Sequence, residues 1–194
     1  MKNAIYKSLN KTQVNIDKDV FEYGWYAFKQ YFIFLIIMIP LSILTQSIDE
    51  FILFIISFIP FRKYLGGFHF NNAIFCTFFS ILFSIIIVIV LPNSFNLETL
   101  PSTSLFKYAM IIFLLFSIIV SLIGPIDHPN KQLSEEEKQI FKQKALVTLV
   151  AEFVSFCGFF LINKNYSSII LYTTLFCLFN LLCGKIRMLF FERK

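Results

Sequence analysis

The chain has 194 residues, of which 57% are hydrophobic, and its mean hydropathy is +0.73. Soluble globular domains contain about 45–50% apolar residues, and so short a chain cannot bury this much apolar surface in water. Composition therefore excludes a soluble domain and predicts an all-α polytopic membrane protein. The net charge of +5 is explained by membrane topology, without a nucleic-acid partner.

The N-terminal arm, residues 1–20, is polar and basic. Ile5, Leu9, Ile16 and Val20 recur in it at roughly helical spacing, with lysines between them. This pattern predicts a short helix on the inner membrane surface, in contact with lipid. A frayed polar arm is the alternative reading of the same residues.

Six apolar segments follow the arm, and each predicts a membrane-spanning helix. They lie at about 28–46, 48–61, 73–91, 105–124, 145–162 and 166–184. A helix needs about 20 apolar residues to cross a bilayer, so the second segment is short for a full span. We expect residues 1–194 to form a single membrane-embedded domain.

Lysine and arginine are concentrated in alternate loops. They occur in the arm, at 62–63, between 131 and 144, and in the tail after 184, whereas the segments 47–50 and 92–104 have none and 163–166 has one. Because basic loops stay in the cytoplasm, this distribution predicts that both termini are cytoplasmic. The segment between the second and third spans then also faces the cytoplasm.

That segment, RKYLGGFHFNNAIFC at 62–76, has the residues for nucleophilic catalysis. Cys76 is predicted to be a free thiol, since cytosolic thiols stay reduced. His69 could take the thiol proton and leave a nucleophilic thiolate, which the nearby cations Arg62 and Lys63 would favour. An unrelated loop histidine and core cysteine are the alternative.

Helix geometry limits how the pair could meet. Residues seven apart on one straight helix lie about 10.5 Å apart along its axis, beyond the reach of a hydrogen bond. His69 and Cys76 therefore cannot act together on a continuous helix. Gly66-Gly67 is predicted to break the helix, and Asn71-Asn72 to form a turn or cap before the third span.

Three polar side chains lie within the predicted spans, near their cytoplasmic ends: Gln30, Glu152 and Asn180. Because burying polar groups in lipid is costly, they predict a polar cavity open to the cytoplasm, in which Glu152 or Asn180 orients His69. Hydrogen bonds that simply hold the helices together are the alternative. The four cysteines show neither disulfide nor metal spacing, so we expect no metal and no cofactor.

The motif Arg-Lys-Tyr-Leu-Gly-Gly-Phe-His, with a Cys seven residues after the His, resembles the AgrB family of Gram-positive quorum-sensing membrane peptidases. FEYGW at 21–25 is similar to the family's lead-in to the first span. GPIDHPNKQLS at 124–134 is similar to its P-x-D-x-x-N-K-x-L loop, with His128 as an addition.

The resemblance implies a cysteine endopeptidase of the bacterial cell membrane, with its active site at the cytoplasmic side. His69 is then the general base and Cys76 the nucleophile, while Arg62 and Gly67 match further motif positions. The implied substrate is an AgrD-like propeptide, which is cleaved through a thioester and closed into a thiolactone or lactone ring. Arg62, Lys63 and Lys131 are expected to bind its acidic tail.

Two other functions stay open at the level of sequence. A small peptide transporter or exporter could use the polar cavity as a pathway, although Glu152 is essentially the only charge within the spans. A non-catalytic scaffold or sensor subunit is the third reading. We also expect a homodimer, because small bundles with open clefts often pair.

Overall fold

The computed structural model describes residues 18–68, 73–94, 101–126 and 133–191. These residues form helices joined by short connections, and no β-strand occurs among them. The helices are α1 (Lys18–Leu44), α2 (Ile48–Leu65), α3 (Ala73–Ile85), α4 (Ser102–Ile123), α5 (Glu135–Ile162) and α6 (Lys164–Phe191). A π-helical segment, Ile86–Val90, and a last turn, Leu91–Ser94, extend α3.

Four of these helices are long and apolar enough to cross a membrane: Ile74–Ser94, Thr103–Ile123, Glu135–Ile162 and Lys164–Phe190. Phe28–Leu44 within α1 is a shorter apolar helix. α2 has acidic residues in its first turn and basic residues in its last, an arrangement that complements the helix dipole. The predicted class, an all-α polytopic membrane protein, is confirmed, whereas the number of spans stays a prediction.

Two helices begin well before the predicted spans. α1 begins at Lys18 and α5 at Glu135, ahead of the apolar segments that were predicted from 28 and 145. The start of α5 is fixed by a capping box, in which Ser134 accepts from the Glu137 N–H and Glu137 accepts from the Ser134 N–H. The predicted arm helix falls on residues 1–20, most of which lie outside the described residues.

The core of the bundle is formed by α2, α5 and α6, which pack against one another. α4 packs on α5 and α6, and this part of the core contains Phe61, Phe116 and Phe156. On the opposite side α3 packs chiefly against α1, and the π-helical segment contacts α2 and α6. A second apolar cluster there contains Phe34, Phe54 and Ile169.

Contacts near the ends of the helices identify two ends of the bundle. At one end the Ile126 N–H donates to the Leu65 carbonyl at 3.0 Å, so the connections after α2 and α4 lie together. At the other end the Tyr166 hydroxyl donates to Asp49 at 3.2 Å. The first end has the motif segment, and we call it the motif end.

Candidate active site

The glycine pair ends α2. The helix stops at Leu65, Gly66 has φ of 70° and Gly67 has φ of 126°, and both values favour glycine over other residues. Residues 66–68 are not helical, and the next helix begins at Ala73. The predicted interruption of the helix at Gly66-Gly67 is therefore confirmed; it precedes both His69 and Cys76, and residues 69–72 lie outside the described residues.

The guanidinium group of Arg62 holds the chain just after this break. Its Nη1 donates to Asn180 Oδ1 at 2.8 Å and, more weakly, to the Gly66 carbonyl at 3.5 Å. Its Nη2 donates to the Phe68 carbonyl at 3.1 Å. One side chain from the last turn of α2 thus links the motif segment to α6, with the planar donor geometry that arginine provides.

Asn180 accepts hydrogen bonds from two directions. Besides the bond from Arg62, its Oδ1 accepts from the Phe68 backbone N–H at 2.9 Å, and the Asn180 carbonyl accepts from the same N–H at 3.2 Å. Two donors on one amide oxygen fix the orientation of the side-chain amide. Asn180, which the sequence predicted as a supporting residue, thus has Arg62 and Phe68 as its hydrogen-bond partners.

Two glycines allow the motif segment to lie directly on α6. A Cβ atom at Gly67 would collide with Asn180 Oδ1 and lie 3.0 Å from Arg62 Nη1. A Cβ at Gly184, one helical turn after Asn180, would lie 2.7 Å from the Gly67 carbonyl carbon and 2.9 Å from the Phe68 nitrogen. A side chain at either position would force the two backbones apart.

Aromatic rings and cations surround this contact at the motif end. The Arg187 guanidinium lies 5.3 Å from the centroid of the Phe68 ring. Lys63 and Lys144 lie 5.6 and 5.8 Å from the centroid of the Tyr64 ring. These distances are typical of cation–π contacts, and they leave the motif end positively charged.

Glu152 lies in the core of the bundle, 7% exposed. Its carboxyl group lies near the Ser57 hydroxyl of α2 and near Cys177 of α6. Its Oε2 has no hydrogen-bond partner among the described residues. A cavity of about 10 Å³ lies between α2 and α6 and is lined in part by Arg62, Cys177 and Asn180. It has space for about one water.

Cys76 lies in the first turn of α3 and is half-buried. Its carbonyl accepts from the Ser80 hydroxyl at 2.9 Å. Cys76, Cys157, Cys177 and Cys183 are all free cysteines. Within the described ranges no group of three or more metal-ligating side chains could hold a metal ion.

The structure thus brings together three of the predicted site residues, Arg62, Gly67 and Asn180. Gln30 is half-buried on α1, and Lys63 is exposed beside Tyr64. The predicted base His69 lies outside the described residues, as do Asn71, Asn72, Asp127, His128 and Lys131. Sequence reasoning missed Gly184 and Arg187, although Asn180, Gly184 and Arg187 recur at the spacing of one helix face.

A family model described as accessory gene regulator B matches residues 1–181. The chain belongs to the AgrB family. The match covers the motif segment and both His69 and Cys76, and it ends within α6, one residue after Asn180. The resemblance seen in the sequence is therefore confirmed.

Two curated relatives have AgrB-like names as well. The chain is 29% identical over 131 residues to AgrB-like protein 2 of Clostridium perfringens strain 13, and equally so to an AgrB-like protein of strain SM101. Each alignment covers 66% of this chain and 61% of the relative. No solved structure matches the chain.

Proposed function

We propose that this AgrB family member is a cysteine endopeptidase of the bacterial cell membrane that cleaves and cyclises an AgrD-like propeptide. The observation that carries the proposal is the family match over residues 1–181, which includes His69 and Cys76. The hydrogen bonds that Arg62 and Asn180 make to Phe68 support it, because they hold the chain immediately before His69 at the motif end.

In the proposed reaction His69 accepts the proton of the Cys76 thiol, and the thiolate attacks the carbonyl carbon of a propeptide peptide bond. The C–N bond breaks, the protonated imidazole returns its proton to the leaving amine, and the amino-terminal fragment stays on Cys76 as a thioester. A thiol or hydroxyl within that fragment then attacks the thioester carbon as His69 accepts its proton, the C–S bond to Cys76 breaks, and the proton passes to the Cys76 thiolate. This closes the ring and releases Cys76 for another cycle.

The charge of the motif end supports a substrate with an acidic C-terminal tail. Lys63, Lys144 and Arg187 lie around the segment that leads to His69, and their aromatic partners hold them there. Complementary charge chiefly improves encounter and register. Arg62 is engaged with Asn180 and Phe68, so we assign it to holding the segment rather than to the tail. Lys131 and the homodimer stay predictions.

A cleavage assay distinguishes the proposed peptidase from the competing function, a peptide transporter without proteolytic activity. The substrate is a doubly tagged propeptide with an amphipathic leader, an internal Cys or Ser and an acidic tail, taken from the neighbouring open reading frame and co-expressed with the protein. Cys76→Ala and His69→Ala should each abolish cleavage at normal membrane levels.

Cys157→Ala is the matched control, because Cys157 is a half-buried free thiol on α5 that packs against the apolar core. It should cleave at the parental rate. Unchanged cleavage in both Cys76→Ala and His69→Ala would overturn the peptidase and leave transport or a non-catalytic role.

A further inference from the structure

We propose that Asn180 and Gly184 of α6 are positioning residues for His69. Together they form a socket that holds the backbone of Gly67 and Phe68 against α6, and we call these two residues the α6 socket. The inference rests on the proposed function, since it assigns these residues a role only through His69.

The first step of the argument concerns the peptide bond that joins Phe68 to His69. The Phe68 carbonyl, which belongs to that bond, accepts from Arg62 Nη2 at 3.1 Å. A peptide unit is planar, so fixing the direction of this carbonyl also fixes the plane of the peptide bond through which the chain continues to residue 69. Arg62 controls one end of the Phe68 backbone.

The second step concerns the other end of Phe68. Its N–H donates to Asn180 Oδ1 at 2.9 Å and to the Asn180 carbonyl at 3.2 Å. Because Asn180 Oδ1 also accepts from Arg62 at 2.8 Å, the two ends of Phe68 are tied to one asparagine. Loss of that oxygen would remove one hydrogen bond from the Phe68 N–H and one from the Arg62 guanidinium at the same time.

The third step is steric. Gly184 provides the empty space into which Gly67 and Phe68 fit, with the Phe68 nitrogen 2.9 Å from where a Cβ at Gly184 would stand. By contrast, the buried hydroxyls of Thr173 and Thr174 earlier in α6 bond to carbonyls of their own helix. Asn180 Oδ1 instead accepts hydrogen bonds from Arg62 and Phe68, which lie outside α6. This is the pattern expected for a residue that positions a neighbouring segment.

The test measures how the reactivity of Cys76 depends on pH. Substitution of a residue with a purely structural role would leave this pH dependence unchanged. The protein is the full chain with Cys157, Cys177 and Cys183 replaced by Ala, so that Cys76 is the only thiol. The rate of Cys76 alkylation by iodoacetamide is measured in detergent across neutral pH. Cleavage of the tagged propeptide and thermal unfolding are measured alongside.

Asn180→Leu keeps the branching of the side chain at Cγ and has no acceptor, whereas Asn180→Asp keeps an acceptor for both donors. We expect Asn180→Leu to slow alkylation at neutral pH by about 10- to 100-fold and to give the pH profile of His69→Ala. Asn180→Asp should keep the parental profile. A parental profile in Asn180→Leu, or equal losses in both variants, would overturn the socket.

Gly184→Ala tests the same point where Asn180→Leu does not fold. We expect it to shift the profile in the same direction, and Gly158→Ala, at a site with no atom within 4 Å of the added Cβ, to leave it unchanged. Equal behaviour of the two alanine variants would contradict the socket. A parental profile in His69→Ala itself would instead refute the proposed function, so the two failures are distinguishable.

Discussion

At the scale of single residues, Glu152 is a buried carboxyl group with an oxygen, Oε2, that lacks a partner among the described residues. It is 7% exposed in the membrane-embedded core. An unsatisfied buried polar atom costs about 1–3 kcal/mol, and ionisable groups within spans usually have a functional reason. The neighbouring Ser57 hydroxyl offsets only part of this cost.

We therefore expect Glu152→Gln to separate activity from stability. Propeptide cleavage should fall by at least about 100-fold if this carboxyl group orients the catalytic base. The temperature of unfolding in detergent should stay the same or rise, because the variant removes an incompletely satisfied carboxyl group. A retained cleavage rate with a lower unfolding temperature would assign Glu152 to structure alone.

The sequence predicted the site residues whose chemistry is visible in their side chains. Arg62 and Asn180 were expected from a motif and from polarity within a span, and they are joined by a hydrogen bond. Gly67 was expected from the motif alone. Gly184 was not expected, because a helical glycine has no functional group, and only the position of the segment packed against it reveals its role. Close backbone approach is a tertiary property that a single sequence does not show.

At the scale of helices, hydropathy located the helices but not their ends. The apolar segments fall within the six helices, yet α5 begins at Glu135, in a stretch that is strongly charged. Helix ends depend on capping and on charge near the helix dipole, to which a hydropathy pattern does not respond. The sequence SEEE at 134–137 has the required capping signal.

This cap gives a prediction for α5. Ser134→Ala removes the oxygen that accepts from the Glu137 N–H at 3.2 Å, and it should lower the free energy of unfolding by about 1 kcal/mol. Ser134→Asp keeps an acceptor at the cap and should stay within a few tenths of a kcal/mol of the parent. Unfolding in mixed micelles measures both, and equal losses would show that the cap is not the source of the stability.

At the scale of the whole molecule, the two ends of the bundle differ in charge. The motif end has Arg62, Lys63, Lys144 and Arg187, whereas the opposite end has Asp49 beside Tyr166. This difference is the structural counterpart of the basic loops in the sequence, from which a cytoplasmic motif end is predicted. The helix packing follows from tertiary contacts that hydropathy does not specify.

Thiol labelling in intact cells tests this orientation. In a variant without native cysteines, Ser94→Cys at the exposed end of α3 should react with a membrane-impermeant maleimide added outside. Glu136→Cys, exposed in the first turn of α5 at the motif end, should react only after the membrane is permeabilised. The reverse pattern would place the motif end outside the cell.

The central claim is that Cys76 forms a thioester with the propeptide, and intact-mass measurement tests it most directly. A propeptide whose internal Cys or Ser is replaced by Ala cannot close the ring, so the acyl-enzyme should accumulate. After acid quenching we expect added mass equal to the amino-terminal fragment, located on Cys76 and removed by hydroxylamine. Absence of the adduct while this propeptide is cleaved, or an adduct that persists in Cys76→Ala, would contradict the account.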